Sequence, residues 1–238
     1  MVKIQCLKKV DNFIKLNNVI VSCENKIGLV SNIDINGNII EGLPSNGILG
    51  LINSINPGVK FISSGGTYKL LKSSGLKVIN ISDYTGYPEM DGGLVTSLHP
   101  KIHGGILGHK YKKEDAEFMN NNEISNFDAV IVNFSPLDFN MKDDKELEEI
   151  RKFIDVGGPT MCHSARKAFL STALITSPSD YKEVINELID YEGRVSLKLR
   201  LELAKKVSSV ITSYMISVDE TMNNIELEDL SKAYEIIE

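Results

Sequence analysis

Residues 59–81 read VKFISSGGTYKLLKSSGLKVINI, and the fold turns on how they are parsed. A β-branched, apolar run at 59–64 leads into a small-residue turn, SSGGT at 63–67. A short amphipathic segment follows, stops at Gly75, and gives way to a second apolar run, LKVINI at 76–81. Strand, helix and strand in so little chain make a crossover unit whose two strands run parallel. Outward from it, NVIVSC at 18–23, FDAVIVNF at 127–134 and STALIT at 171–176 repeat the strand signature. Five such runs separated by helical segments predict an α/β fold, a parallel sheet wrapped by helices.

The helical segments follow the same logic. NGILGLINSIN places Ile48, Leu51, Ile52 and Ile55 at helical spacing, and Pro57 and Gly58 end it. DKELEEIRKFI at 144–154 is another helix. After Pro178, SDYKEVINELIDY and the long segment 196–222 read as two helices, with Ser179 or Asp180 and then Ser196 as caps, and the acidic tail 223–238 as a last helix. One segment breaks the rhythm: VSNIDINGNIIEG, 30–42, alternates around Asn36-Gly37 and predicts a hairpin inserted between the first strand and its helix. The expected organisation is one domain over 1–238, with an α/β core at 18–176 and a C-terminal helical part at 177–238.

Composition narrows the function classes. A formal net charge of −6 argues against coating nucleic acid and for a small molecule or protein partner. Cys6, Cys23 and Cys162 are too few and scattered for a disulfide framework or zinc cluster, and with no long apolar run the reading is a cytoplasmic protein without membrane contact. Parallel sheets bind ligands beyond the carboxyl ends of their strands, where two turns suit an anion. In SSGGT, the backbone of Ser64, Gly65 and Gly66 and the Thr67 hydroxyl can cradle a phosphate, although a strand-to-helix turn needs small residues in any case. DVGGPT at 155–160, with Val156, Gly157 and Pro159, is the second.

Other patterns carry less. His99 and His103 have helical metal-ligand spacing, but Pro100 and the glycines after it argue against a helix, and no metal is expected. Ser164-Ala-Arg-Lys167 matches the Ser-x-x-Lys of acyl-enzymes without their companion motifs. Cys162 beside His163 reads better as a small buried residue than as a nucleophile, and Asp155 and Lys167 taken alone read as a helix-capping acid and a solvent lysine.

The block SSGGTYKLLKSSGLKVINISDYTGYPEMDGGLVTSLHPKIHGGIL, followed by FDAVIVNFSPL and IDVGGPTMCHSARK, resembles the IMP cyclohydrolase domain of the bifunctional purine-biosynthesis enzyme, over nearly the whole chain. The resemblance implies a methylglyoxal-synthase-like fold, no formyltransferase domain, and no cofactor. It implies closure of the purine ring of 5-formamidoimidazole-4-carboxamide ribotide to IMP and water. Of that family's residues, Ser64, Gly66 and Thr67 keep phosphate-loop positions, Ser97 stands for a threonine, and Asn133 for an asparagine near the base. Asp155 and Lys167 match an aspartate and lysine thought to assist proton transfer as a coupled pair, a helical turn and a half apart.

The departures are as specific. Leu94 and Thr96 replace a phosphate-holding arginine and a catalytic lysine, Ser135 replaces a tyrosine, His163 an arginine and Arg166 an alanine. The family loop Ser-Asp-Lys-Thr-Gly becomes CENKIG, leaving Lys26, Lys101 or Arg166 to compensate at the phosphate. Three readings follow: a divergent IMP cyclohydrolase acting on a purine ribotide, a cyclohydrolase for a modified or less phosphorylated heterocycle, and a silent purine-nucleotide-binding paralogue. A homodimer is a further expectation.

Overall fold

The computed structural model describes residues 9–134 and 147–237. Cys6, Ser135 and the first residues of the 144–154 helix lie outside them.

Five strands form the central sheet: β2 (Asn18–Cys23), β3 (Lys60–Ser63), β4 (Val78–Asn80), β5 (Ala129–Asn133) and β6 (Ala173–Ile175), in the order β4-β3-β2-β5-β6. Every neighbouring pair is parallel. Successive side chains of a strand point to opposite faces, and here both faces are covered. Val19, Val21, Phe61, Ala129, Ile131 and Ile175 face one core, and Ile20, Ile62, Val130, Val132 and Leu174 the other.

The first core is closed by α1 (Gly47–Ile55), α2 (Gly65–Ser73) and α8 (Tyr181–Asp190). The second is closed by α3 (Ile81–Thr85), α4 (Pro100–Leu107) and α7 (Gly157–Lys167). α9 (Leu197–Asn223) serves both, giving Leu199 and Leu203 to the first and Val207 and Ile211 to the second. It thus wraps the β6 edge, which would otherwise offer unpaired backbone groups. α5 (Lys113–Asn121), α6 (Leu147–Phe153) and α10 (Leu227–Ala233) are peripheral and short.

Ser196 caps α9 through Oγ to the Leu199 N–H at 3.1 Å, as its residue type predicts. Asp180, by contrast, turns its carboxylate back onto the Thr176 and Ser177 amides and pairs with Lys206. The 30–42 hairpin forms as one antiparallel bridge, Ile33 to Ile39. Asp34 holds its turn by accepting from the Asn36 and Asn38 amides, each at 2.8 Å.

Two elements have no sequence signal of their own. β1 (Phe13–Lys15) and β7 (Arg194–Ser196) pair antiparallel apart from the main sheet. Beside them Arg200, wholly buried, donates to the carbonyls of Asp11, Asn12, Val195, Phe169 and Leu170. Five acceptors satisfy the guanidinium fork, though burial still lowers its pKa to about 10.

Candidate active site

β2 is followed through α1 by β3 on one side, and β5 lies on its other side, so the crevice beyond their carboxyl ends is a topological switch point. Three pieces meet there: the segment after β2, the turn that opens α2, and the start of α7.

Asn133 fixes the first piece. Its Oδ1 accepts from the Asn25 N–H and its Nδ2 donates to the Asn25 carbonyl, both at 2.8 Å, while its own carbonyl accepts from the Glu24 N–H at 3.3 Å. Both ends of the amide bond the loop, and Asn133 so positions residues 24–26. Lys26 then folds back, donating from Nζ to the Glu24 carbonyl at 3.0 Å. A Cβ added at Gly66 would lie 3.9 Å from that ammonium, so Lys26 stands over the first turn of α2.

That turn is built for an anion by its backbone. Ser64 is extended (φ −137°), Gly65 takes φ +55°, and the first helical bond is Tyr68 N–H to Ser64 O at 3.0 Å. The amides of residues 65–67 precede it, at the positive end of the helix. The expectation for Thr67 is corrected: its hydroxyl is buried, donating to the Cys23 carbonyl at 2.9 Å and accepting from the Cys23 N–H at 3.1 Å. A hydroxyl has one proton to give, and this one ties α2 to β2.

At the start of α7, Oδ1 of half-buried Asp155 accepts from the Gly158 N–H at 3.1 Å. Burial raises its pKa, the Gly158 and Gly157 amides pull it back, and the like charge of Glu24 pushes it up again. The Asp155 backbone is clamped by Tyr214 of α9, whose buried hydroxyl accepts from the Asp155 N–H at 2.7 Å and donates to the Asp155 carbonyl at 3.1 Å. The Tyr214 ring rests edge-on against Phe134, centroids 4.7 Å apart. Ser97 presses on the same helix end, since a Cβ at Gly157 would lie 2.5 Å from its Oγ and 3.9 Å from Asp155 Oδ1. Val156, the residue before α7, is exposed.

The direct coupling of Asp155 with Lys167 is not made within one chain. Lys167 is the last residue of an 11-residue helix that begins after Asp155. Twelve residues at 1.5 Å rise are about 18 Å, three turns and not one and a half. Arg166 is turned away too, lying against His163 Nδ1 at 2.6 Å in a groove shared with Ile211 and Met215 of α9. Lys26, unlike Arg166, is set on the α2 turn.

The segment DGGLVTSLHPKIHGG, 91–105, splits in two. Its first half is an exposed loop in which Leu94 is 62% exposed and Val95 holds φ +64°, an unusual conformation for a β-branched residue. The Thr96 hydroxyl donates to the Gly93 carbonyl at 2.7 Å, closing the loop on itself instead of reaching a ligand. Its second half corrects the expectation of no helix: α4 starts at Pro100, with His99 Nδ1 accepting from the Lys101 N–H at 3.1 Å. Proline is tolerated at the first helical position because that N–H has no intrahelical acceptor.

His103, on α4, meets the hydroxyl of Ser164 through Nδ1 at 2.9 Å, and burial lowers its pKa so that the ring is neutral at pH 7. Ser164 is thus a buried partner of a histidine, and Cys162 is fully buried with its thiol pushed up to about 12. Among the described residues no group of three His, Cys, Asp or Glu side chains is placed to hold a metal ion. Nor is any of their helices long and apolar enough to cross a membrane.

Residues 51–160 match the MGS-like domain family. The bifunctional purine biosynthesis protein PurH of Clostridium acetobutylicum is 40% identical over 192 residues, 80% of this chain and 38% of that protein. PurH of Magnetococcus marinus is 34% identical over 221 residues, 92% of this chain and again 38% of the relative. The chain is a divergent relative of PurH that carries an MGS-like domain. It spans well under half the length of these relatives. Among solved structures, that of ForH superposes with a TM-score of 0.69 at 27% identity, covering 86% of this chain and 97% of that one. The PurH-related sequence accounts for the glycine turns. One residue of this crevice had no such signal: Tyr214 becomes visible only in three dimensions, through its bonds to Asp155.

Proposed function

We propose that this chain closes the second ring of a purine, with 5-formamidoimidazole-4-carboxamide ribotide, giving IMP and water, as the first substrate to test. In that reaction the carboxamide nitrogen attacks the formyl carbon and water leaves, and the task is mainly to hold two substituents face to face. The supporting observation is Asp155, a carboxylate of raised pKa bonded to the first turn of α7 beside Ser97 and within electrostatic reach of Glu24, on the loop that carries Lys26. Its role is to take the carboxamide proton, for which a pKa moved toward neutrality is an advantage. The α2 amides and Lys26 hold the anionic end, the Ser97 hydroxyl donates to the formyl oxygen, and Asn133 keeps the 24–26 loop in place. Lys167, at the far end of α7, has no direct role in this reading.

The test is formation of IMP, followed by absorbance, from purified protein and the formylated ribotide. Asp155→Asn is expected to lower the rate by about 10²–10⁴, the usual worth of a general base. Absence of turnover by the native protein above the uncatalysed rate overturns the reading. IMP binding that persists without turnover would instead mark a silent nucleotide-binding relative.

A further inference from the structure

The crevice leaves unused a groove of about 670 Å³ between α7 and α9. Buried Pro159 and Ile211 line it, and α9 brings Met215 and Ile216 to it, 53% and 52% exposed. Thr212, Met215, Ile216 and Asp219 recur at i, i+3, i+4 and i+7, so they form one outward stripe of the helix. Tyr214 and Thr221, on the opposite side, are buried against the fold. The last half of α9 is thus apolar on two sides, and the outer side finds no cover among the described residues.

The groove carries opposite charges at opposite ends. α7 and α9 run antiparallel: Asp155, just before α7, is bonded to Tyr214, and the carbonyls of Phe169 and Leu170, just past its end, accept from Arg200. Arg166, in the last turn of α7, therefore lies at the Thr212 end of the stripe, and Asp219 stands at the other end, beyond the start of α7. Arg166 spends one donor on His163 Nδ1 at 2.6 Å, and a guanidinium has five. Asp219 is exposed and forms no ion pair among the described residues.

This pattern is self-complementary. In a two-fold pair the same patch serves both copies. An axis passing between Met215 and Ile216 sets two α9 helices antiparallel, with Met215 against the partner's Ile216 and Asp219 against the partner's Thr212, at the end of the groove that holds the partner's Arg166. Both charges then meet an opposite charge, and both apolar side chains leave water. A parallel pairing would instead set Asp219 against the partner's Asp219. We propose that the outer face of α7 and α9 is an interface with a second copy of this chain, built on antiparallel α9 helices and closed at each end by Arg166 and the partner's Asp219. Arg166 is one of the positions at which the chain departs from the resembling family, so the resemblance does not supply this contact.

The experiment is sedimentation velocity of the native chain, Ile216→Glu, Arg166→Asp, Asp219→Arg and the double charge reversal, at concentrations up to about 100 μM, with circular dichroism melts to check each fold. The native chain is expected to dimerise within that range and Ile216→Glu, a change at a half-exposed position, to stay monomeric. Each single reversal sets like charges face to face and should weaken the dimer about tenfold or more, and the double reversal should restore it. A native chain that is monomeric throughout leaves the groove to a small ligand or another protein and overturns the inference. A dimer that Ile216→Glu leaves unchanged lies on another face and overturns it as well. So does a dimer that the single reversals do not weaken, or that the double reversal does not restore.

Discussion

Replacing Tyr214 with phenylalanine removes one oxygen and leaves the ring on Phe134, 4.7 Å between centroids. That oxygen makes two hydrogen bonds, at 2.7 and 3.1 Å, to the amide and carbonyl of Asp155. At a net ~1 kcal/mol each, the loss is about 2 kcal/mol, rising if the stranded Asp155 groups stay away from water. For a domain of this size that is a fall in Tm of about 4–8 °C. The substitution also frees the Asp155 carboxylate to move toward solvent, so its pKa should fall back toward the ordinary carboxylate range. Thermal melts followed by circular dichroism read the first effect, and a carbon-detected NMR titration of the Asp155 carboxyl reads the second. A melting temperature within about 1 °C of native, together with an unmoved Asp155 titration, would show that the hydroxyl does not hold the residue.

Other expectations are independent of that clamp. A Cβ at Gly158 would lie 2.4 Å from Asp155 Oδ2 and 3.0 Å from the Phe134 ring, so Gly158→Ala should displace the carboxylate and weaken ligand binding about tenfold or more by titration. Retained affinity would show that Asp155 tolerates the shift. Arg200→Met strands the carbonyls of Asp11, Asn12, Val195, Phe169 and Leu170 and should cost about 3–5 kcal/mol in a urea midpoint with unchanged slope. A loss under about 1 kcal/mol would mean that water replaces the guanidinium at these carbonyls.

The raised pKa of Asp155 has a definite sign: between its unfolded and folded values the unfolded chain has already lost the proton that the fold keeps, so stability falls as pH rises through that window. Asp155→Asn, which keeps an acceptor for the Gly158 amide, should accordingly be more stable than native at pH 7 and lose that advantage below about pH 4. An advantage independent of pH would point to packing instead.

The sheet was legible because its strands are buried on both faces and show up as continuous apolar runs. β2 coincides with the run at 18–23, and the β3-turn-α2-β4 unit follows the reading of 59–81 closely. β1 and β7 were not legible. Each has three residues, and they pair because distant parts of the chain converge beside Arg200. Pro100 was misread as a breaker because its effect depends on position, harmless at the first residue of α4 and disruptive further in.

In the crevice, residue type located the turns but not the direction of each side chain. Thr67 and Thr96 have the hydroxyls that a phosphate would want, and both spend them on nearby carbonyls. Asp155 and Lys167 were separated by counting turns along α7, a length that the glycines at 157 and 158 had concealed. Tyr214 is 59 positions from its partner, and a single sequence contains no hint of such a contact.

That contact gives α9 a role besides covering the sheet edge. One helix supplies apolar side chains to both cores and the hydroxyl that seats the crevice carboxylate, so its order and the geometry at Asp155 are a single linked equilibrium. A ligand that engages Asp155 will therefore slow hydrogen exchange along α9, some way from any atom it touches. Fraying of that helix, conversely, will be felt first as a weakened grip in the crevice and only later as loss of the fold.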